Sequence, residues 1–110
     1  MNLDISHKGN VVVLSLSGEV DMQHAPSLRK QLLSALEERR DVLVDMGAVD
    51  YIDSSGIASL VEAYQAARRN GTRFALAAVS DASMRVLQLA RLDKVFTIHP
   101  SVETGLQAGV

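Results

Sequence analysis

The chain has no cysteine, no tryptophan, only two prolines and an aromatic content of 4%. Without cysteine, disulfides, thiolate metal sites and cysteine nucleophiles are excluded. With so few aromatics there is no stacking platform for bases or sugars. No apolar run approaches the ~18 residues needed to cross a bilayer, so membrane insertion is not expected. The start, Met1-Asn2-Leu3-Asp4, lacks the basic-then-apolar pattern of a secretory signal, which leads to the expectation of a cytoplasmic protein. An excess of one charge is also missing. Lys and Arg total 11 against 13 Asp and Glu, and no basic cluster exceeds the pairs Arg39-Arg40 and Arg68-Arg69, so no nucleic-acid surface is expected. Both pairs fall where helices are expected to end, where they would complement the C-terminal dipole.

Several chemistries lack their motifs. There is neither a G-x-x-x-x-G-K-[ST] loop nor a G-x-G-x-x-G turn, so no nucleotide cofactor is expected, and any phosphate must be brought by another protein. His7, His24 and His99 are isolated, and Asp45, Asp50 and Asp53 lack the loop pattern of a calcium site; no metal is expected. No G-x-S-x-G surrounds the serines, and nothing in the sequence marks a histidine as a base oriented by a carboxylate. The protein reads as non-enzymatic.

What is present is an ordinary globular balance: 47% apolar and 22% charged over 110 residues, enough for one domain spanning 1–110. Leu3 to His7 alternates, Lys8-Gly9-Asn10 supplies a turn, and Val11 to Ser17 is a stronger strand, giving an opening β-hairpin that Gly18 is expected to end. Ala25-Pro26 suits the first turn of a helix with an apolar stripe at Leu28, Leu32, Leu33 and Leu36. Asp41 to Met46 reads as a strand, and Ala48 to Ile52 lead on to a helix from about Ser54 to Arg69 that stops at Asn70-Gly71. Arg73 to Val79 predicts a strand, Ser80-Asp81 a cap for a third helix, Val95 to Ile98 a short strand, and Pro100-Ser101 a last short helix. The order β-β-α-β-α-β-α-β-α predicts an α/β domain with a mixed, mostly parallel sheet and right-handed crossovers.

The segment Asp53-Ser54-Ser55-Gly56 stands at a strand-to-helix junction, where unpaired backbone N–H groups and the helix dipole favour an anion. One of Asp53, Ser54 and Ser55 suffices as the N-cap, yet three capping residues stand in a row. A phosphate on a hydroxyl here would add nearly two negative charges to a small patch beside Asp53. In a mostly parallel sheet, loops at one strand end share an edge, so the loop Gly18-Glu19-Val20-Asp21 and the loop before the second helix are expected to be neighbours, with Asp21 near Ser54.

These segments carry a resemblance. Leu16 to Asp21, Ala25 to Leu28 and Val49 to Ile57, with the order of elements, make the chain resemble the STAS domain, specifically the bacterial anti-anti-sigma factors, or anti-sigma factor antagonists. The resemblance implies a partner-switching regulator. It binds an anti-sigma factor, often itself the serine kinase, when unphosphorylated, lets go when phosphorylated, and is reset by a protein phosphatase. By position, Ser54 matches the phosphoacceptor, with Ser55 as the alternative, and Asp21 matches an acidic loop residue near the acceptor. Asp21, Met22, His24, Asp53, Ser54, Ser55, Gly56 and Ile57 are the expected partner-binding residues, in a monomer or weak homodimer. Many relatives follow the motif with leucine and a second glycine, where this chain has Ile57-Ala58. The same fold also serves as an accessory subunit docking on lipid-transport ABC ATPases without phosphorylation, and in stress-sensing scaffolds.

Overall fold

In the computed structural model, which describes residues 1–110, two strands open the chain: β1 (Asn2–Lys8) and β2 (Val11–Val20). They are followed by α1 (Ala25–Glu37), β3 (Asp41–Ile52), α2 (Ser54–Asn70), β4 (Phe74–Ala77) and α3 (Asp81–Leu89). A 3-10 turn at Leu92–Lys94 leads into β5 (Thr97–His99) and α4 (Val102–Ala108). The sheet order is β1-β2-β3-β4-β5, with β1 antiparallel to β2 and every later neighbour parallel. The predicted order of elements and the mixed sheet with its opening hairpin are therefore observed.

Because successive parallel strands advance in one direction, right-handed crossovers put α1, α2 and α3 on the same face. The main core lies there: Leu14, Leu16, Val44, Met46 and Leu76 of the sheet pack against Leu28, Leu32, Leu60 and Leu87 of the helices. The opposite face carries a smaller cluster in which Val13, Leu43, Ala75 and Ala77 meet Val102 and Leu106 of α4.

Several boundaries differ from the sequence reading. Gly18 does not end β2. It takes φ +80° within the strand, which runs on to Val20. The pairing of β2 with β3 shifts twice, from Ser15↔Asp45 to Ser17↔Ala48 and from Gly18↔Val49 to Glu19↔Tyr51, so β3 holds an extra residue at each step. Such bulges bend a strand pair without parting it. Since β1 pairs no further than Ser17 and β4 no further than Asp45, the ends of β2 and β3 leave the sheet as a two-stranded ribbon. β4 is shorter than Arg73 to Val79, and β5 starts at Thr97 because the 3-10 turn takes up the chain before Val95. Arg39-Arg40 lie beyond α1: Arg39 has φ +56°, and no basic residue occupies the last turn of that helix. Arg68 and Arg69 do occupy the last turn of α2, which Gly71 closes in the left-handed conformation.

Candidate functional site: the α2 N-terminus and the loop after β2

The ribbon of β2 and β3 delivers two chain segments side by side. The backbone N–H of Asp53 donates to the carbonyl of Val20 at 3.2 Å, the last rung before both strands turn away. Asp53 then caps α2. Its Oδ1 accepts from the backbone N–H groups of Ser55 (2.9 Å) and Gly56 (3.1 Å), and its Oδ2 accepts from the N–H of Met22 at 2.9 Å. One carboxylate thus satisfies two free amides of the helix and fixes the neighbouring loop. The expected adjacency of the two loops is observed, through Met22 and Asp53.

With the cap supplied by Asp53, neither serine is needed for it. Ser54 is the first residue of α2 and is exposed; Ser55 is half-buried. Ser55 lines a shallow cavity of about 340 Å³ with Met22, Ala25, Pro26, Arg29 and Ser59, between the starts of α1 and α2. The buried Ser59 hydroxyl donates to the carbonyls of Ser55 (3.2 Å) and Ala25 (3.4 Å), joining the two helix starts.

Gly56 and Ile57, also expected among the partner-binding residues, are both buried. Gly56 is buried, and a Cβ there would stand 2.8 Å from both Ile52 Cγ1 and the Val20 carbonyl. The glycine lets the helix start press onto the ribbon. Ile57 is only 7% exposed and belongs to the main core. Both lie beneath the edge that the exposed residues form. Met22, by contrast, is 74% exposed, and Tyr51 on β3 is also exposed.

The loop holds a hydrogen-bonded pair that the sequence reading missed. His24 Nδ1 lies 2.7 Å from Asp21 Oδ1, and the His24 backbone N–H donates to the same oxygen at 3.2 Å. Desolvation pushes the Asp21 carboxyl up, but the hydrogen bonds from the His24 side chain and backbone outweigh it and hold the group below its ordinary value of 3.8. His7 likewise meets Glu38, at 3.0 Å. Two of the three histidines therefore do face carboxylates. Those partners come from a turn or from 31 residues away, so neither pairing follows a motif. The His24 ring and backbone both bond the Asp21 carboxylate.

Arg29 and Glu62, also missed, join α1 to α2 beside this cavity at 2.7 Å. The hydrogen bond from Arg29 holds the Glu62 carboxyl below its ordinary range, against some desolvation, and Arg29 is correspondingly raised. They stand 33 residues apart on separate helices, where no local signal marks a pair. No group of three or more acidic or histidine side chains is placed to hold a metal, and no helix is long and apolar enough to cross a membrane.

The chain is thus a small α/β module with three crossover helices on one sheet face, a short helix on the other, and a capped, serine-bearing helix start at the end of a strand ribbon. The chain belongs to the STAS domain family, whose pattern matches residues 2–105. It is 26% identical over 107 residues to the anti-sigma-B factor antagonist of Bacillus subtilis (strain 168), covering 97% of this chain and 98% of that protein. Among solved structures it is similar to an anti-sigma factor antagonist from Mycobacterium paratuberculosis, with TM-score 0.90 and 28% identity over 98% of this chain and 92% of that one. The phosphorylated form of the Bacillus cell fate determinant SpoIIAA shares the fold, with TM-score 0.77 and 17% identity over 97% and 98% of the two chains.

Proposed function

We propose that this protein is an anti-sigma factor antagonist that works by partner switching. Unphosphorylated, it docks on an anti-sigma factor that is also a serine kinase; phosphorylated on Ser54, it is released, and a protein phosphatase restores it. The observation that carries this reading is the division of labour at the α2 start. Asp53 takes the capping amides with one oxygen and the Met22 amide with the other, and an exposed Ser54 hydroxyl is left over on the same edge. The relatives named as anti-sigma factor antagonists support the partner class.

The chain supplies a hydroxyl and a docking edge and catalyses nothing. Ser54 Oγ attacks the γ-phosphorus of ATP held by the kinase, the hydroxyl proton leaves with the kinase's base, and ADP departs. The product carries close to two negative charges at the helix start. The dipole of α2 favours them and Asp53 opposes them, so the fold tolerates the phosphate with local change. The docking edge does not. Asp21, Met22, His24, Asp53, Ser54 and Ser55 form that edge, and a phosphate in a tightly packed interface leaves a charge desolvated and unpaired. Gly56 and Ile57 support it from beneath.

The test is to incubate the protein with its kinase partner and ATP, locate phosphate by tandem mass spectrometry, and compare Ser54→Asp and Ser54→Ala in binding. Phosphate on Ser54, with loss of binding only in Ser54→Asp, supports the switch. Equal binding of both variants to the partner sinks it, and an unmodified protein that binds tightly favours docking on a transport ATPase instead.

A further inference from the structure

The two edges of the sheet are unequal. β5 is three residues long, too short to template another strand. β1 is seven residues long, pairs with β2 without any register shift, and is exposed along nearly its whole length. Its outer edge is terminal in the sheet.

The direction of its free hydrogen-bonding groups follows from the hairpin. Lys8 and Val11 flank the two-residue turn Gly9-Asn10, where Gly9 has φ +61°, the arrangement of a II′ turn. Residues flanking such a turn form a mutually bonded pair, and bonded pairs alternate along the ladder. Lys8, Ser6, Asp4 and Asn2 therefore bond inward to β2. Leu3, Ile5 and His7 direct their backbone N–H and C=O groups outward, where nothing in the chain meets them.

An isologous antiparallel contact must place its two-fold axis so that these outward residues face each other. With the axis at Asp4, that carboxylate opposes itself. With the axis at Ile5, Asp4 faces Ser6 and Lys8 faces Asn2, so no opposite charges stand directly across the ladder and Asp4 has Lys8 of the second copy only as a diagonal neighbour. With the axis at Ser6, Asp4 faces Lys8 twice, once on each side, at the closely spaced non-bonded positions where opposite charges attract most. In the same register the half-exposed Ile5 is covered by His7 of the second copy.

We propose that β1 is a self-association edge: a second copy of this chain adds its own β1 antiparallel, about a two-fold axis at Ser6, so that one sheet runs through both copies. The charge complementarity of Asp4 and Lys8 selects the partner and the register. The contact is a single strand long, in the range below ~1,200 Å² typical of weak interfaces, so association is expected at high micromolar concentration. This inference stands apart from the role of Ser54.

Sedimentation equilibrium of the full chain from about 10 μM to about 1 mM tests it. A monomer–dimer equilibrium is expected for the wild type. Asp4→Lys and Lys8→Asp should each weaken dimerisation by about tenfold, and the double variant should restore it. Both positions are exposed, and circular dichroism checks that each variant is folded. Ile5→Pro provides a second arm: it removes an outward N–H that β2 does not use, and should leave a folded monomer. A wild type that stays monomeric at about 1 mM, or a dimer indifferent to both charge reversals, overturns the proposal.

Discussion

The backbone N–H of Met22 donates to Oδ2 of Asp53 at 2.9 Å, while Oδ1 of the same carboxylate holds the amides of Ser55 and Gly56. The exposed loop and the helix start thus share one anchor, and a change at either is felt by the other. Asp53→Ala should lower stability by about 1 kcal/mol, chiefly from the lost cap, since water can take the exposed Met22 amide. Asp53→Asn keeps one acceptor oxygen and should fall between. Denaturant midpoints give the magnitudes, and faster amide exchange at Met22 would report the lost link; a Met22 amide as protected in Asp53→Ala as in the wild type would contradict it.

Gly56→Ala tests the close approach of α2 to the ribbon. The added methyl stands 2.8 Å from Ile52 Cγ1 and from the Val20 carbonyl, so backbone must move. The better helix propensity of alanine is small beside that overlap. The expected outcome is a net loss of about 1–3 kcal/mol in chemical denaturation. A neutral or stabilised variant would mean the ribbon yields more readily than its bulged pairing implies.

Met22→Ala separates docking from folding. The side chain is 74% exposed, and only its backbone is tied to Asp53. Stability should stay within about 0.5 kcal/mol of the wild type. Affinity for the anti-sigma partner should fall by about tenfold or more if this residue anchors the proposed edge. Calorimetric titration of the partner decides it, and unchanged affinity removes Met22 from the interface.

The pH response follows from Asp21. Its folded carboxyl lies below the ordinary value of 3.8 because the His24 hydrogen bonds outweigh desolvation. A lowered acid contributes stability above its unfolded value and loses it as pH falls through the folded one. The loop from Asp21 to His24 should therefore keep its structure from neutral pH down to about 3.8 and loosen only below it. Carboxyl NMR titration should show the Asp21 midpoint rising toward its ordinary value in His24→Ala. An unmoved midpoint would deny the pair its effect.

Much of the fold was legible because its signals are local. The apolar stripe of α1, the Asn70-Gly71 stop of α2 and the Ser80 cap of α3 each depend on residues within a turn of one another. The serine-bearing junction was legible for the same reason, but which residue caps it was not. Asp53, Ser54 and Ser55 all have capping side chains; the helix begins at Ser54, so Asp53 takes the cap, and its second oxygen also meets Met22, 31 residues away. Gly18 misled in the opposite sense. Glycine commonly breaks strands, but here the bulges of β3 absorb its φ of +80° and the ladder continues.

Ile57 and the histidines show the same limit. The helical spacing of Ile57 placed it on the apolar face of its helix, and the packing of α2 on the sheet buried it in the main core. His7 and His24 found carboxylates because a tertiary approach and a tight turn brought them within 3.0 Å and 2.7 Å. The sequence by itself determined the order of the elements, the glycine that permits the α2 start and the presence of hydroxyls there, since periodicity, backbone sterics and capping act over a few residues. Only the tertiary structure decided which oxygen caps the helix, which side chains face solvent and which charges pair. Those outcomes depend on distances between segments far apart in the chain, and they are set when the β2–β3 ribbon and the helices pack together.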